Sequence, residues 1–106
     1  MKVAVASTGK KPDSQVSLIG ARAPYFLIFE DKKLVKVISN PFRIGGGGAG
    51  FAVSQMLENE EVKIVVSGSF GVNMKNSLKE RKIKAKAIID KTVKEAVKEV
   101  MGGKQK

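Results

Sequence analysis

Apolar residues along this chain fall into short runs separated by turn formers, and their period changes from about two to about 3.6 partway along. Lys2-Val3-Ala4-Val5-Ala6-Ser7 predicts a strand that stops at Thr8-Gly9-Lys10-Lys11-Pro12-Asp13, a cluster of turn formers and charge. Tyr25–Glu30 and Lys33–Ser39, parted only by Asp31-Lys32, predict an antiparallel hairpin. The first of these runs is apolar on both faces and belongs deep in a sheet. The second mixes Leu34 and Val35 with lysines and belongs at an edge, where Lys33 and Lys36 discourage pairing with another chain.

From Ala49 the period becomes helical. Ala49, Ala52, Val53, Met56 and Leu57 share one face, and the pattern ends near Asn59. Val62–Ser67 predicts the next strand, followed by Gly68-Ser69-Phe70-Gly71 and a short helix from about Met74 to Arg81 that buries Met74 and Leu78. Ile83 to Ile89 predicts a last strand, with Ile83, Ala85, Ala87 and Ile89 on one face. Thr92 and Glu95 have capping-box spacing; Val93, Ala96, Val97, Val100 and Met101 then form the apolar face of a final helix, which Gly102 and Gly103 end. The order β-β-β-α-β-α-β-α implies a three-layer α/β domain in which a mixed five-stranded sheet is flanked by helices.

At 106 residues the chain has the size of one domain, so residues 1–106 are expected to fold as a unit. No apolar run approaches the roughly 20 residues a membrane span needs, and the start of the chain reads as a strand rather than a leader. The expectation is therefore a cytoplasmic protein without a membrane partner. With no cysteine and no histidine, disulfides, zinc sites and histidine-based catalysis are excluded. The net charge is +10, and residues 62–106 carry twelve Lys or Arg against four acids, which places +8 of it in the second half. Such an excess attracts anions, nucleic acid or acidic partners. Lysines greatly outnumber arginines, however, and aromatics are not interleaved with them as a platform for stacking bases requires.

The run Gly45-Gly46-Gly47-Gly48-Ala49-Gly50 stands between an extended segment and the first helix. So much glycine fits a tight turn or a close approach, and the helix that follows directs free N–H groups and a positive dipole end across that turn. Gly45, Gly47 and Gly50 match the letters of a dinucleotide fingerprint, but the next strand ends in Ser67 rather than an acid. Gly45 and Gly50 also have the outer spacing of a phosphate loop, yet Phe51 and Ala52 stand where lysine and a hydroxyl belong. Two readings remain open: close packing of helix on strands, or an anion cradle. In open α/β sheets ligands bind beyond the carboxyl ends of parallel strands. Three loops are expected to meet there: Ser7–Lys11, Gly45–Gly50 and Ser67–Gly71.

Gly20-Ala21-Arg22-Ala23-Pro24-Tyr25-Phe26, Asn40-Pro41, Gly46-Gly47-Gly48-Ala49-Gly50 and Ser67-Gly68-Ser69-Phe70-Gly71-Val72-Asn73 together resemble the nitrogenase iron-molybdenum cofactor biosynthesis accessory family. The resemblance runs in order over nearly the whole chain. It implies a ribonuclease H-like fold, a non-catalytic accessory or carrier role, an iron-sulfur or iron-molybdenum-type cluster as cofactor, and metallocluster donor or acceptor proteins as partners. The sequence departs from the family pattern where a histidine and a phenylalanine commonly precede the Gly-Arg-Ala-Pro element. Here Ser17-Leu18-Ile19 precede Gly20, and Ala21 splits glycine from arginine.

Without soft side chains, a bound cluster or oxyanion would rest on the backbone N–H groups of Gly46, Gly47 and Gly48, with Lys10 or Arg22 as counter-charge and Ser67, Gly68 and Ser69 opposite. Each residue also has a plainer reading: Arg22 as a snorkelling side chain, Ser67 and Ser69 as loop caps, Met74 as core. The alternative function is a basic binding module for RNA or an acidic protein. An enzyme acting on a phosphorylated metabolite lacks an evident base, because Asp13, Glu30 and Asp31 read as turn or surface residues. A nuclease would need grouped carboxylates at strand ends, and Ala4-Val5-Ala6-Ser7 offers none.

Overall fold

Strand β1 (Lys2–Ser7) is apolar on both faces because both are covered: Val3, Ala4, Val5 and Ala6 are fully buried. It is the centre of the sheet seen in a computed structural model, which describes residues 1–44 and 48–102. β2 (Tyr25–Glu30) pairs with it antiparallel and is equally buried, as its apolar run predicts. β3 (Lys33–Ser39) pairs antiparallel with β2 and is largely exposed, the edge its lysines predict. On the other side, β4 (Val62–Ser67) and β5 (Lys84–Ala87) continue the sheet in parallel, giving the order β3-β2-β1-β4-β5. Asp31 and Lys32 at the hairpin tip have φ of 52° and 70°. This is the pair of positive φ values that matches a two-residue turn to the twist of its strands.

Helices α1 (Ala49–Asn59) and α2 (Val72–Glu80) cover one face. Val53, Leu57, Met74 and Leu78 pack there on Ala4, Ala6, Phe26, Ile28 and Val65. The other face carries α3 (Val93–Val97), continued by a π-helical turn, Lys98–Gly102. Val93, Ala96 and Val97 sit on Val3, Val5, Leu27, Phe29 and Val66. Three layers and the ribonuclease H-like order result. Arg81 buckles α1 to α2: its guanidinium lies 4.8 Å from the Phe51 ring, donates to Ser77 Oγ at 2.6 Å, and has Nε 3.1 Å from Glu58 Oε1.

The structure departs from the periodicity in three places. α2 begins at Val72, ahead of its first buried residue Met74, because Gly71 in extended conformation already starts the turn. β5 stops at Ala87, where its pairing with β4 ends at Ser67. The Ile88 N–H donates to Ser67 O at 3.0 Å and the chain turns through Asp90 at φ 59°. Ile88 is consequently buried and Ile89 is 55% exposed, the reverse of strict alternation. The last helix changes to π geometry at Lys98, which leaves Val100 and Met101 only half-buried. The predicted capping box forms, with Glu95 N–H donating to Thr92 Oγ1 and Thr92 N–H to Glu95 Oε1. Gly103, expected to end that helix, lies outside the described residues.

Candidate functional site

The parallel pair β1 and β4 ends at Ser7 and Ser67, and the segment Val16–Pro24 crosses those ends. Ser17 N–H donates to Ala6 O at 2.8 Å, so the segment starts as an extension of β1. It is then joined to the loop after β4: Gly68 N–H donates to Ser17 O at 2.8 Å, Ser69 Oγ to Leu18 O at 2.7 Å, and Gly20 N–H to Ser69 O at 3.1 Å. Asn40, 3% exposed, braces the far end by donating to Ala21 O and Ala23 O while accepting from Phe42 N–H. A buried amide that meets three backbone groups fixes a loop that has no ladder of its own.

Behind this loop the N-termini of α1 and α2 lie side by side. A Cβ built on Gly50 would stand 2.9 Å from Met74 Cβ and 3.0 Å from Met74 Cα and N, so the helix backbones approach more closely than any side chain allows. A Cβ on Gly20 would stand 3.1 Å from Met74 Sδ, which brings the crossing loop to the same point. Neither helix has a side-chain cap or an acid in its first turn; the N-caps are Gly48, at φ 87°, and Gly71. The helical ladder begins with Ala52 N–H to Gly48 O and Lys75 N–H to Gly71 O. The N–H groups ahead of those bonds therefore emerge from both helix ends on the same side of the sheet, where they attract an anion. A cavity of about 290 Å³ opens there against Gly48, Phe51 and Asn73, and its one acid, Glu80, sits at the opposite end of α2.

The residues expected to form a site are partly brought together. Gly48 heads α1, while Gly46 and Gly47 lie outside the described residues. Ser67 is fully buried, and its hydroxyl is within hydrogen-bond reach of both Ser17 O and Ser69 O, at 3.3 and 3.0 Å. Ser69 directs its own hydroxyl hydrogen to Leu18 O, and Gly68 is held by Ser17. These groups stitch the loops together. Arg22 reaches Arg43 O at 3.5 Å on the outside of the crossing loop. Lys10 stands 5.7 Å from the Tyr25 ring, on the face that α3 covers, away from the side occupied by α1. Its loop docks on α3 instead, where Lys94 N–H donates to Pro12 O and Val93 N–H to Ser14 O. Met74 is 1% exposed and packs in the core, its plainer reading.

Sequence reasoning missed the crossing segment itself. Leu18 and Ile19 are 65% and 56% exposed, Val72 at the head of α2 is 74% exposed, and Ile89 stands next to the Ile88 that bonds Ser67. An apolar pair between Ser17 and Gly20 that fits neither a helix nor a strand pattern was the available signal.

The expected iron-sulfur or iron-molybdenum-type cluster has to be corrected. The chain has no cysteine and no histidine, and among the described residues no group of three or more His, Cys, Asp or Glu could hold a metal ion. Metal-sulfur clusters are held by thiolates, with imidazole in some centres. Serine hydroxyls committed to carbonyls and backbone N–H groups supply neither. Among the described residues no helix is long and apolar enough to cross a membrane.

The family model described as dinitrogenase iron-molybdenum cofactor matches residues 1–103. A protein from Thermotoga given a provisional NifB assignment, and solved by NMR, is 31% identical, with 96% of this chain and 88% of that chain covered at a TM-score of 0.82. The apo form of the orange protein from Desulfovibrio gigas is 23% identical over 96% of this chain and 88% of that one, with a TM-score of 0.89; at that identity the likeness is one of fold. No curated protein matches the chain.

Proposed function

Because the chain belongs to the dinitrogenase iron-molybdenum cofactor family, a non-catalytic accessory type, we propose that it is an accessory protein of cofactor assembly that binds a tetrahedral oxyanion such as molybdate. The observation that carries this reading is the pair of uncapped, acid-free helix N-termini meeting at Gly50 and Met74. Two helix ends each carry about half a positive charge, and their unladdered N–H groups match an oxyanion where a metal would find no ligand. Entry is open, since Gly48, Phe51, Val72 and Asn73 are exposed.

Titration calorimetry with sodium molybdate tests it. Saturable binding is expected, weakened by added salt and competed by tungstate. Val72→Glu places a carboxylate at the exposed first position of α2, where it favours the helix but occupies the anion's position. That variant is expected to fold and to lose molybdate. Absence of saturable binding by the unaltered chain, or equal binding by V72E, rejects the reading.

A second reading is favoured by the exposed Leu18, Ile19, Val72 and Ile89 around the same loops in a chain of net charge +10: a docking face for an acidic protein. Exposed apolar side chains on a basic chain suit a protein partner better than RNA, which would use stacking aromatics. Binding of poly-glutamate that survives high salt, or tighter binding of a mixed-sequence RNA, would count against it.

A further inference from the structure

The α3 face of the sheet is only half covered. α3 has five residues and its π-helical extension five more, and they lie over β1, β2 and β4, where Val3, Val5, Leu27 and Val66 are fully buried. Beyond the helix edge the apolar floor continues. Phe29 pairs with Leu34 and Leu27 with Val37, so these β3 side chains share the α3 face, yet Leu34 and Val37 are 38% and 39% exposed. Between α3 and this edge lies a cavity of about 310 Å³, floored by Phe29, Leu34 and Val97 and rimmed by Lys32, Lys94 and Lys98.

Among the described residues no acid lines the cavity. The salt bridges among the described residues, Lys36–Glu60 and Arg81–Glu58, use none of the three lysines. Lys94 and Lys98 stand one turn apart on the helix, while Lys32 comes from the hairpin tip, held at φ 70°. A Cβ built on Gly102 would stand 3.6 Å from Lys32 Nζ and 3.7 Å from Lys98 Cγ, so the hairpin tip reaches across to the side chain of Lys98 at the end of the helix. Ammonium groups gathered at an apolar concavity focus a positive potential that an anion relieves. The volume is at the floor of the usual range for ligand sites, roughly 300–1,000 Å³, which limits the occupant to a small molecule.

We propose that this cleft binds a small amphipathic carboxylate, with an alkyl chain or ring against Phe29, Leu34 and Val97 and its carboxylate among Lys32, Lys94 and Lys98. The site is on the opposite face of the sheet from the helix N-termini of α1 and α2 and stands independently of any oxyanion bound there. The competing physical account is snorkelling, in which lysine stems merely shade apolar surface and the ammonium groups remain in water.

Octanoate and 1-anilinonaphthalene-8-sulfonate are suitable probes. The naphthalene dye is expected to gain fluorescence at one site on the folded chain and to be displaced by octanoate but far less by octanol. Amide shifts on octanoate addition should centre on Phe29, Leu34 and Val97. Lys94 and Lys98 are exposed helix positions, so Lys94→Ala with Lys98→Ala should leave the fold intact and weaken octanoate by about tenfold or more, a change of about 1.4 kcal/mol or more. Lys63→Ala with Lys79→Ala removes the same charge elsewhere and should change affinity little. The proposal is overturned if octanoate does not bind, if octanol displaces the dye as well as octanoate, or if the two double variants weaken binding equally.

Discussion

Replacing Gly50 with alanine separates two opposing effects by sign. Gly50 lies in the first turn of α1, where alanine ordinarily stabilises a helix relative to glycine by at most about 1 kcal/mol. Here the new methyl would stand 2.9 Å from Met74 Cβ and 3.0 Å from Met74 Cα and N, against an optimal carbon separation of about 3.5–4.0 Å. The obstructing atoms include α2 backbone, which cannot rotate aside, so the two helices must part and the contacts around Met74 and Leu78 loosen. Overpacking of this kind costs about 1–3 kcal/mol. The net expectation is a loss of roughly 1 kcal/mol, or about 4–8 °C in the midpoint of a chain this size. Urea unfolding and calorimetry measure it, with Gly71→Ala as the comparison, because among the described residues nothing stands within 4 Å of a Cβ there. A G50A chain as stable as the parent, or more so, would refute the close approach of α1 and α2 and the pairing of their N-termini.

Asn40→Ala leaves two loop carbonyls and the Phe42 N–H without their buried partner; a cost of roughly 2–3 kcal/mol is expected in urea unfolding, and a change near zero would mean that Asn40 does not hold the crossing loop. Thr92→Ala removes the N-cap of α3 and should cost about 1 kcal/mol, read as a lower midpoint with α3 amides exchanging faster. The hydrogen bond from Thr92 N–H is the main cause that holds the Glu95 carboxyl below its ordinary pKa; desolvation, next in size, opposes it, and the Thr92 hydroxyl and the charges of Lys91 and Lys94 add to the lowering. A depressed folded-state pKa means that the contribution is present above the unfolded glutamate's pKa and is lost as pH falls through the folded value. Glu95→Gln should therefore flatten the acid side of the stability curve, and an unchanged curve would rule this carboxylate out as a source.

The sheet was legible in the sequence because its signals are local and redundant. β1, β2, β3 and β4 follow directly from apolar runs bounded by turn formers, and the buried character of β2 against the exposed β3 follows from where the lysines fall. The Thr92 and Glu95 capping box is likewise a matter of spacing. Local patterning failed where a tertiary contact overrode it, as when the end of pairing at Ser67 turned Ile88 inward and Ile89 outward.

The candidate site was less legible, because its parts come from segments far apart in the chain. Composition alone removed thiolate and imidazole chemistry, and no fold can restore it. Glycine at position 50 signals a close approach, but the identity of the neighbour, Met74, is decided only when α1 and α2 pack on one face. The seryl hydroxyls of Ser67 and Ser69 look available in the sequence and are committed to backbone carbonyls of a loop 50 and 51 residues earlier. Lys10 looks close to the glycines along a line of loops, yet its turn follows α3 to the other side of the sheet. Residue type fixed which chemistry is possible, since that depends on the atoms each side chain carries. Which of those atoms face an open site depends on non-local hydrogen bonds and packing, and only the tertiary structure decided it.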